Sequence, residues 1–372
     1  MRSLWLTTVA TIIAGCTAAL VHAQPAPTEA LDGLDPVLLV QGKEVAGKPD
    51  LTVVRGRFAY SFSSAETRAA FERTPEQFEI QLNGVCARMG PLAGGNPSDY
   101  VVHDGRIYIF GSDECHKRFV ATPTRFLPPV PAAMPAGAKA GAEGRALVDR
   151  AVSAIGGAAR LDALTSYVES WTYVQTTAQG EVPVAARVLW RFPAGVRLER
   201  TMTRADRRVS TATVLTSDRA WFDGGPGRIF PMLPDAVPEL ERTYGRHLVP
   251  LLRSRNAPSF EAAALGPATQ AGLPVERVRL RNGPVDVTLG IDRSSGEIRT
   301  LSFVSRNGEG EFGEYEVAVA DYRAVDGLRL PFNERALFNG TPDPSVTRML
   351  EAIALDVALD DALFTTAAGP GQ

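Results

Sequence analysis

Four side chains in the first third of the chain could bind a soft metal ion or react as thiols: Cys86, His103, Cys115 and His116. Two cysteines and two histidines suit a tetrahedral zinc site or a copper site. Cys115 and His116 are adjacent, so on a helix their side chains project about 100° apart and only one readily faces a shared ion. If copper or zinc binds, we expect Cys86 and Cys115 to be the first ligands, with His116 or His103 as the third.

The same two thiols allow other outcomes. In an oxidising compartment Cys86 and Cys115 form a disulfide or stay as buried structural thiols, or one of them is a reactive thiol. Their sequence positions do not choose between these outcomes. The poor spacing of the four side chains favours a structural cysteine pair or disulfide, with His103 and His116 at the surface.

Residues for catalysis are scarce. Once a leader is removed, the remaining histidines are His103, His116 and His247. None of them lies in a nucleophile elbow, a zincin helix or a phosphate-binding glycine loop. We therefore predict a protein that is not an enzyme, with no catalytic residues and with copper or zinc as the only candidate cofactors.

Cys115 lies in a segment that repeats an earlier one. The residues shared by the two copies are Tyr60, Phe62, Phe71, Pro75 and Phe78, which recur as Tyr108, Phe110, Phe119, Pro123 and Phe126. In each copy, alternating aromatic residues predict a half-buried strand, and a short helix follows that ends before the proline. Each copy is predicted to be a β-hairpin followed by a helix, too small for a core of its own, so the two copies should pair.

The N-terminus is typical of a secretory leader. Arg2 precedes an apolar run from Leu4 to Leu20, and Ala23 ends a small-residue cleavage signal, so we predict a signal peptide over residues 1–23 and a periplasmic protein. Within it, Ile13-Ala14-Gly15-Cys16 has the form of a bacterial lipobox, in which a lipidated Cys16 would tether the protein to a membrane. The apolar run is short for a bilayer span, which needs about 20 residues.

The rest of the chain divides in two by composition. A Pro-, Ala- and Gly-rich run over 128–144 predicts an extended connection between a unit at 31–127 and a second unit at 145–366. Strand patterns run from Tyr167 to Asp223 and again from Val275 to Val357, with a helical segment around 235–255 between them. The predicted fold class is α+β: a small tandem hairpin-and-helix domain, then a large curved antiparallel sheet, an unclosed barrel with covering helices.

Short motifs in the first unit carry a family resemblance. They are Asp35-Pro36-Val37, Gly42-Lys43, Ala46-Gly47, Tyr60-x-Phe62-x-Ser64-Ala65-Glu66, Pro75-x-x-Phe78 and Gly84-x-Cys86-Ala87. Together they resemble a YHS-type domain over 31–127. Relatives of this family place heavy-metal ligands in a Phe-Cys-Ser-x-x-Cys-x-x-x-Phe segment. Here that segment keeps the second cysteine, Cys115, but has Gly111 at the position of the first.

A second resemblance covers 145–366. Its motifs are Asp218-x-Ala220-Trp221, Leu289-Gly290-Ile291-Asp292-x-x-x-Gly296, Asp321-Tyr322-Arg323-x-Val325-Asp326-Gly327-Leu328 and Leu359-Asp360-Asp361-Ala362-Leu363-Phe364. In pattern and order these are similar to the periplasmic lipoprotein carriers of the outer-membrane lipoprotein-sorting type. The resemblance implies an unclosed barrel around an apolar cavity that holds acyl chains. The side chains expected to line that cavity are Trp171, Trp190, Phe192, Trp221, Phe230 and Leu289.

These observations predict an exported, non-catalytic envelope protein. Its partner would be a hydrophobic small molecule, a lipid or a lipidated protein, bound by the second unit. Heavy-metal binding or sensing by the first unit is the alternative, and a structural interaction protein is a third. The net charge of -3 and the isoelectric point near 5.9 disfavour a nucleic-acid partner.

Overall fold

The computed structural model describes residues 26–177, 180–204, 207–225, 228–270 and 272–365. The leader predicted over residues 1–23, with Cys16, lies outside these described residues. Two small sheets formed within residues 28–110 precede one large sheet formed within residues 166–355. Across the described ranges no helix is long and apolar enough to cross a membrane.

Residues 28–121 form the two small sheets and four short α-helices. The strands are β1 (Thr28–Glu29), β2 (Lys48–Arg55), β3 (Phe58–Phe62), β4 (Val85–Cys86), β5 (Gly90–Gly94), β6 (Asn96–His103) and β7 (Arg106–Phe110). The helices are α1 (Pro36–Val40), α2 (Ala65–Arg73), α3 (Pro75–Phe78) and α4 (Asp113–Ala121). The hydrogen-bonded order is β1-β3-β2 in one sheet and β5-β4-β7-β6 in the other.

Strand β7 joins the two small sheets because both of its faces are buried. Successive side chains on a strand point to opposite faces. Ile107 and Ile109 belong to one apolar cluster, which is completed by Phe58, Tyr60, Phe62 and Phe71. Tyr108 and Phe110 belong to a second cluster, which is completed by Cys86, Cys115, Phe119 and Phe126. One strand thus supplies the core of both copies of the sequence repeat.

The second part of the chain forms a 14-stranded sheet in which every pairing is antiparallel. Its strands are β8 (Ser166–Thr177), β9 (Gly180–Arg191), β10 (Gly195–Arg204), β11 (Arg207–Thr216), β12 (Ala220–Asp223), β13 (Ile229–Pro231), β14 (Glu261–Gln270), β15 (Leu273–Asn282), β16 (Val285–Ile291), β17 (Ile298–Arg306), β18 (Phe312–Val325), β19 (Leu328–Phe338), β20 (Thr341–Pro342) and β21 (Arg348–Leu355).

The strand order of this sheet runs β13-β12-β11-β10-β9-β8-β21-β19-β18-β17-β16-β15-β14, with β20 paired to β19. Strands β13 and β14 are its two ends, so among the described residues the sheet does not close on itself. The predicted α+β class and the large open antiparallel sheet are thereby confirmed. Strand β21 returns from the end of the chain to lie between β8 and β19, which couples the two halves of the sheet.

Four helices cover this sheet: α5 (Ala138–Ala154), α6 (Ala158–Asp162), α7 (Ala236–Tyr244) and α8 (Leu248–Arg253). Helix α5 packs on β14 and β15, while α7 contacts β16, β11 and β5. In α8 the buried side chains are Leu248, Val249, Leu251 and Leu252. A short helix that is apolar on all sides belongs in a core. Helix α8 therefore fills part of the space inside the curved sheet.

Helix α5 begins at Ala138, inside the segment 128–144 that composition predicts to be an extended connection. Alanines in this segment favour a helix, and Gly144 allows that helix to approach the sheet closely. A Cβ atom at Gly144 would lie 2.7 Å from the backbone nitrogen of Ala263. The alanines and this close contact with β14 together account for a helix where the overall Pro, Ala and Gly composition predicts an extended connection.

Candidate functional site

A cavity of about 500 Å³ lies between the large sheet, helices α7 and α8, and the residues around β5. Strands β17, β18, β19 and β21 supply one part of its wall, and Met89, Pro91 and Ala93 contribute from the N-terminal part of the chain. This volume falls within the range of small-molecule sites, which is about 300–1,000 Å³. The cavity is the best candidate for a binding site because apolar and charged side chains meet in it.

The apolar wall comes from alternate positions on two neighbouring strands. Leu301 and Phe303 lie on β17, while Val317 and Val319 lie on β18, and all four line the cavity. Leu248 from α8 adds to the same lining. Alternation on a strand brings every second side chain to one face, so these apolar residues make a continuous surface.

A cluster of buried charges forms one end of the cavity. Glu169 Oε2 lies 2.9 Å from His247 Nδ1 and 3.1 Å from Arg348 Nη1. Arg348 Nη2 lies 2.5 Å from Glu334 Oε2, and the Tyr167 hydroxyl donates to Glu169 Oε1 at 2.6 Å. His247, Glu334 and Arg348 line the cavity. The cluster links the residue that precedes α8 to strands β8, β19 and β21, and β8 is far in sequence from the other two strands.

The neighbouring charges keep Glu169 and Arg348 ionised. Burial raises the pKa of Glu169, but the charges of His247 and Arg348 outweigh burial and lower that pKa to about 2. Burial lowers the pKa of Arg348, but Glu334 and Glu169 outweigh it and raise that pKa above its usual value. The carboxylates of Glu169 and Glu334 both already accept hydrogen bonds from protein donors. The cluster therefore stabilises the fold next to the cavity.

Arg246 differs from these paired charges. It precedes α8, lines the cavity, and holds its guanidinium carbon 3.9 Å from the centroid of the Phe303 ring. Its Nη1 is buried and has no hydrogen-bond partner among the described residues. Burial lowers the pKa of Arg246 to about 10, so the side chain is a desolvated cation at neutral pH. A buried donor with no acceptor is costly, which marks this position as one of functional interest.

The N-terminal part of the chain is held against the rim of the cavity by arginines. Arg306 Nη1 donates to the carbonyl oxygens of Arg88 at 2.8 Å and Gly310 at 3.0 Å. Glu309 accepts from Arg88 at 3.1 Å and from Arg118 at 2.5 Å. These contacts fix the backbone between β4 and β5, which carries Met89 into the cavity lining.

The two thiols predicted as metal ligands lie together in the second apolar cluster and are not part of the cavity lining. Cys86 and Cys115 are both buried and free. Burial raises the pKa of both thiols. At Cys86 this effect outweighs the backbone hydrogen bonds that lower the pKa, so the pKa of Cys86 is raised. At Cys115 burial is outweighed by hydrogen bonds from Ser112, Arg88 and Cys86, which lower its pKa. Arg88 Nη1 lies 3.8 Å from Cys115 Sγ.

The two histidines proposed as further ligands face other partners. His116 Nδ1 lies 2.5 Å from Asp99 Oδ1, and its ring stacks on Phe110 with centroids 4.7 Å apart. His103 packs edge-on against Phe119 at 6.1 Å. In the part of the chain that the structure describes, no group of three or more His, Cys, Asp or Glu side chains is placed to hold a metal ion.

The six side chains expected in an apolar cavity lie at several places, none of them in the lining of the 500 Å³ cavity. Trp190 and Phe192 line a separate pocket of about 420 Å³. Leu289 is fully buried in the main core. Trp171 packs against that core, with the guanidinium of Arg348 5.1 Å from its ring.

The other two of these side chains lie elsewhere on the sheet. Trp221 belongs to a cluster with Val168, which points to the face of β8 opposite to Tyr167 and Glu169. Phe230 is 53% exposed. The expectation took these large aromatic residues as markers of the cavity, whereas other residues line it, among them Leu301, Val317 and Arg246.

The residues that sequence reasoning missed carry charges within or directly beside apolar stretches. Glu169 is a charged residue in strand β8, between the apolar residues Val168 and Trp171. Arg246 and His247 directly precede the apolar helix α8. A charged residue in an otherwise buried element is the one signal that could have found them. Their mutual contacts cannot be predicted from the sequence, because Glu169 lies on the first strand of the large sheet in chain order and Arg348 on the last.

Comparison with known proteins gives limited similarity. No family model matches the chain, and no curated protein matches it. The absence of a matching family model leaves the resemblance of 31–127 to a YHS-type domain without support from this comparison.

Three solved structures overlap with 60% of this chain. One is an outer membrane lipoprotein-sorting protein domain from Vibrio parahaemolyticus, with 10% identity, a TM-score of 0.38 and 97% of its own length covered. Another is a DUF1329 family protein from Desulfovibrio piger, with 10% identity, a TM-score of 0.39 and 98% covered. A third is a LolA superfamily protein from Nitrosomonas europaea, with 14% identity, a TM-score of 0.39 and 97% covered. Because these TM-scores are below 0.5, the similarities carry no weight in the functional conclusion.

Proposed function

We propose that this chain is an exported, non-catalytic binding protein that holds a hydrophobic small molecule, a lipid or the lipid of a lipidated partner in the 500 Å³ cavity. One observation carries the proposal: a cavity of ligand size has an apolar wall formed by Leu301, Phe303, Val317 and Val319. Burial of an acyl chain against such a wall is favourable by about 25 cal/mol for each Å² of apolar surface removed from water.

The proposal extends to the organisation of the chain. Residues 1–23 would be removed on export to the periplasm, or Cys16 would retain a lipid anchor. Residues 31–127 would form a YHS-like module with an altered ligand set, as the motifs around Tyr60 and Cys86 suggest. Residues 145–366 would form the carrier-like module that provides most of the cavity.

Native mass spectrometry of the protein purified from a bacterial envelope tests the proposal, since a retained lipid adds a defined mass. Delipidated protein should also raise the fluorescence of an apolar dye, and a long-chain fatty acid should displace that dye. Absence of co-purified lipid together with no dye binding or displacement would leave the structural interaction protein as the better interpretation.

A pair of variants on β18 places the binding in this cavity. Val317 is buried and lines the cavity, whereas Ala320 on the same strand is exposed. Val317→Phe fills part of the space and should weaken dye binding. Ala320→Phe adds the same ring outside and should bind as the unmodified protein does. Equal binding by both variants would place the ligand elsewhere.

The alternative of copper or zinc binding has one supporting observation, the contact between the thiols of Cys86 and Cys115. Elemental analysis of anaerobically purified protein tests it directly. A stoichiometric soft metal that disappears in Cys115→Ser would support the alternative, and a metal-free protein would reject it.

A further inference from the structure

The charges lining the cavity do not cancel. The arginines in the lining are Arg200, Arg246, Arg306 and Arg348, and the acidic residues are Glu239 and Glu334. Glu334 is paired with Arg348, and Glu239 is paired with Arg242 of its own helix. Both carboxylates in the lining are therefore already paired, and four arginines against two carboxylates leave the lining with an excess of positive charge.

The remaining arginines differ in how they are held. Arg306 donates to backbone carbonyl oxygens at the rim, so its hydrogen-bonding capacity is partly used there. Arg200 is exposed. Arg246 combines a buried Nη1 with no partner among the described residues and a position inside the cavity. It is the cation with the most to gain from an incoming anion.

The Arg246 guanidinium is held against the ring of Phe303. Its guanidinium carbon lies 3.9 Å from the centroid of the Phe303 ring, so the aromatic ring covers one side of the group. A planar guanidinium presents its N–H donors at its edge, where it can bind a carboxylate or phosphate with two parallel hydrogen bonds. A stacked guanidinium is also restrained before the ligand arrives, which lowers the entropy cost of binding.

The cation and the apolar wall belong to one cavity. Phe303 contacts Arg246 and also forms part of the wall with Leu301 and Val317. A ligand that satisfies both features carries an anionic group at one end and a hydrocarbon portion beyond it. A neutral hydrocarbon would leave the Arg246 donor unsatisfied, and a small inorganic anion would leave the apolar wall in contact with water.

We infer that the cavity selects an anionic amphiphile, such as a fatty acid or an alkyl phosphate, whose head group is bound by Arg246 while its chain lies along the wall formed by Leu301, Phe303 and Val317. This inference rests on the proposed function and specifies the chemical class of the ligand.

The test compares ligands of equal chain length on the delipidated, full-length protein. Dye displacement by hexadecanoate, hexadecyl phosphate and hexadecanol is measured alongside inorganic phosphate alone. The two anionic amphiphiles should bind at least about tenfold more tightly than the alcohol, as a charge-assisted head-group contact predicts. Inorganic phosphate should not displace the dye at the concentrations where the amphiphiles do.

Variants assign that preference to one side chain. Arg246→Met should remove the preference for the anionic amphiphiles and leave the affinity for hexadecanol within about twofold. Arg246→Lys keeps the charge and should retain part of the preference. The matched control is Arg323→Met, since Arg323 also stacks on a phenylalanine, Phe332, at 4.4 Å but lies outside the cavity lining.

The outcomes separate the two proposals. If the unmodified protein binds the alcohol as tightly as the acids, the inference about the head group is overturned and the carrier function stands. If only inorganic phosphate binds, the inference fails because the site takes a free anion. If neither the dye nor any amphiphile binds, the proposed function itself fails. The comparison within the unmodified protein keeps the test valid even if an Arg246 variant does not fold.

Discussion

Glu334 of β19 and Arg348 of β21 lie directly opposite each other in the antiparallel register, and their side chains form an ion pair with 2.5 Å between Oε2 and Nη2. Arg348 also reaches Glu169, at 3.1 Å, on the other side of β21. A single guanidinium therefore bridges β19 to β8 across the strand that couples the two halves of the sheet.

Removal of that guanidinium should destabilise the fold. Arg348→Met leaves the carboxylates of Glu169 and Glu334 without a cationic partner between them, and breaking a buried pair in this way costs about 3–5 kcal/mol. Urea denaturation followed by tryptophan fluorescence measures the loss. The control Arg323→Met removes an exposed arginine paired with Asp321 and should change the unfolding midpoint little. Equal effects of the two variants would contradict a structural role for the cluster.

The depressed pKa of Glu169 predicts a specific acid sensitivity. Its folded-state pKa, about 2, lies below the ordinary value of 4.5, so the ionised form stabilises the fold. That contribution is fully present above about pH 4.5 and is lost as the pH falls towards 2. The unfolding midpoint of the unmodified protein should therefore fall more between pH 5 and pH 3 than that of Glu169→Gln. Parallel pH profiles for the two proteins would show that this carboxylate does not titrate as described.

The thiols should differ in reactivity. The pKa of Cys115 is lowered by its hydrogen bonds from Ser112, Arg88 and Cys86 despite its burial, whereas burial raises that of Cys86. Since the thiolate is the nucleophile, alkylation followed by mass spectrometry should label Cys115 at lower pH than Cys86. Arg88→Gln should move the labelling of Cys115 to higher pH. Preferential labelling of Cys86 would reverse the assignment.

Two glycines on α5 should respond in opposite ways to alanine. A Cβ atom at Gly144 would meet the Ala263 nitrogen at 2.7 Å, so Gly144→Ala pushes the helix away from β14 at a cost of about 1–3 kcal/mol. At Gly141 the nearest atom is the Ala262 carbonyl oxygen at 3.9 Å, so Gly141→Ala should stabilise the helix by about 0.5–1 kcal/mol. Thermal unfolding of both variants checks the sign of each change. Stabilisation by Gly144→Ala would show that the helix does not approach the sheet this closely.

The large sheet was predictable because its strands alternate and its turns carry clear signals. In β16, Val285, Val287 and Leu289 are buried and alternate with half-buried residues. Asp326 and Gly327 adopt positive φ angles of 43° and 85° in the turn between β18 and β19, as an Asp-Gly hairpin signal predicts. Local sequence determines these features, so sequence alone is sufficient to find them.

Strand β14 was not predicted, because its sequence lacks the pattern that its structure has. The segment Glu261–Gln270 contains four alanines, a glycine and a proline, which are poor strand formers. It is a strand because β15 pairs with it on one side and α5 packs on it with Gly144 at the contact. Tertiary contacts decide its conformation, and the sequence of the segment does not contain them.

The candidate site was hidden for a related reason. Arg246, His247 and Glu169 each look like isolated polar residues in the sequence, and their significance comes from partners on distant strands. The choice of large aromatic residues as cavity markers did not reveal this cavity, whose wall is built around Val317, Val319 and Leu301. Burial of a charge is a property of the folded chain, and only the assembled sheet shows which charges are paired.

Strand β7 has a consequence for how the N-terminal repeat can change. Ile107 and Ile109 complete one cluster, and Tyr108 and Phe110 complete the other, so both duplicated copies depend on the same five-residue segment. The duplication has produced an obligate pair, since neither copy retains a complete interior when separated from its twin. Deletion or exchange of one copy would remove packing contacts from the other copy. A substitution in β7 would disturb both apolar clusters.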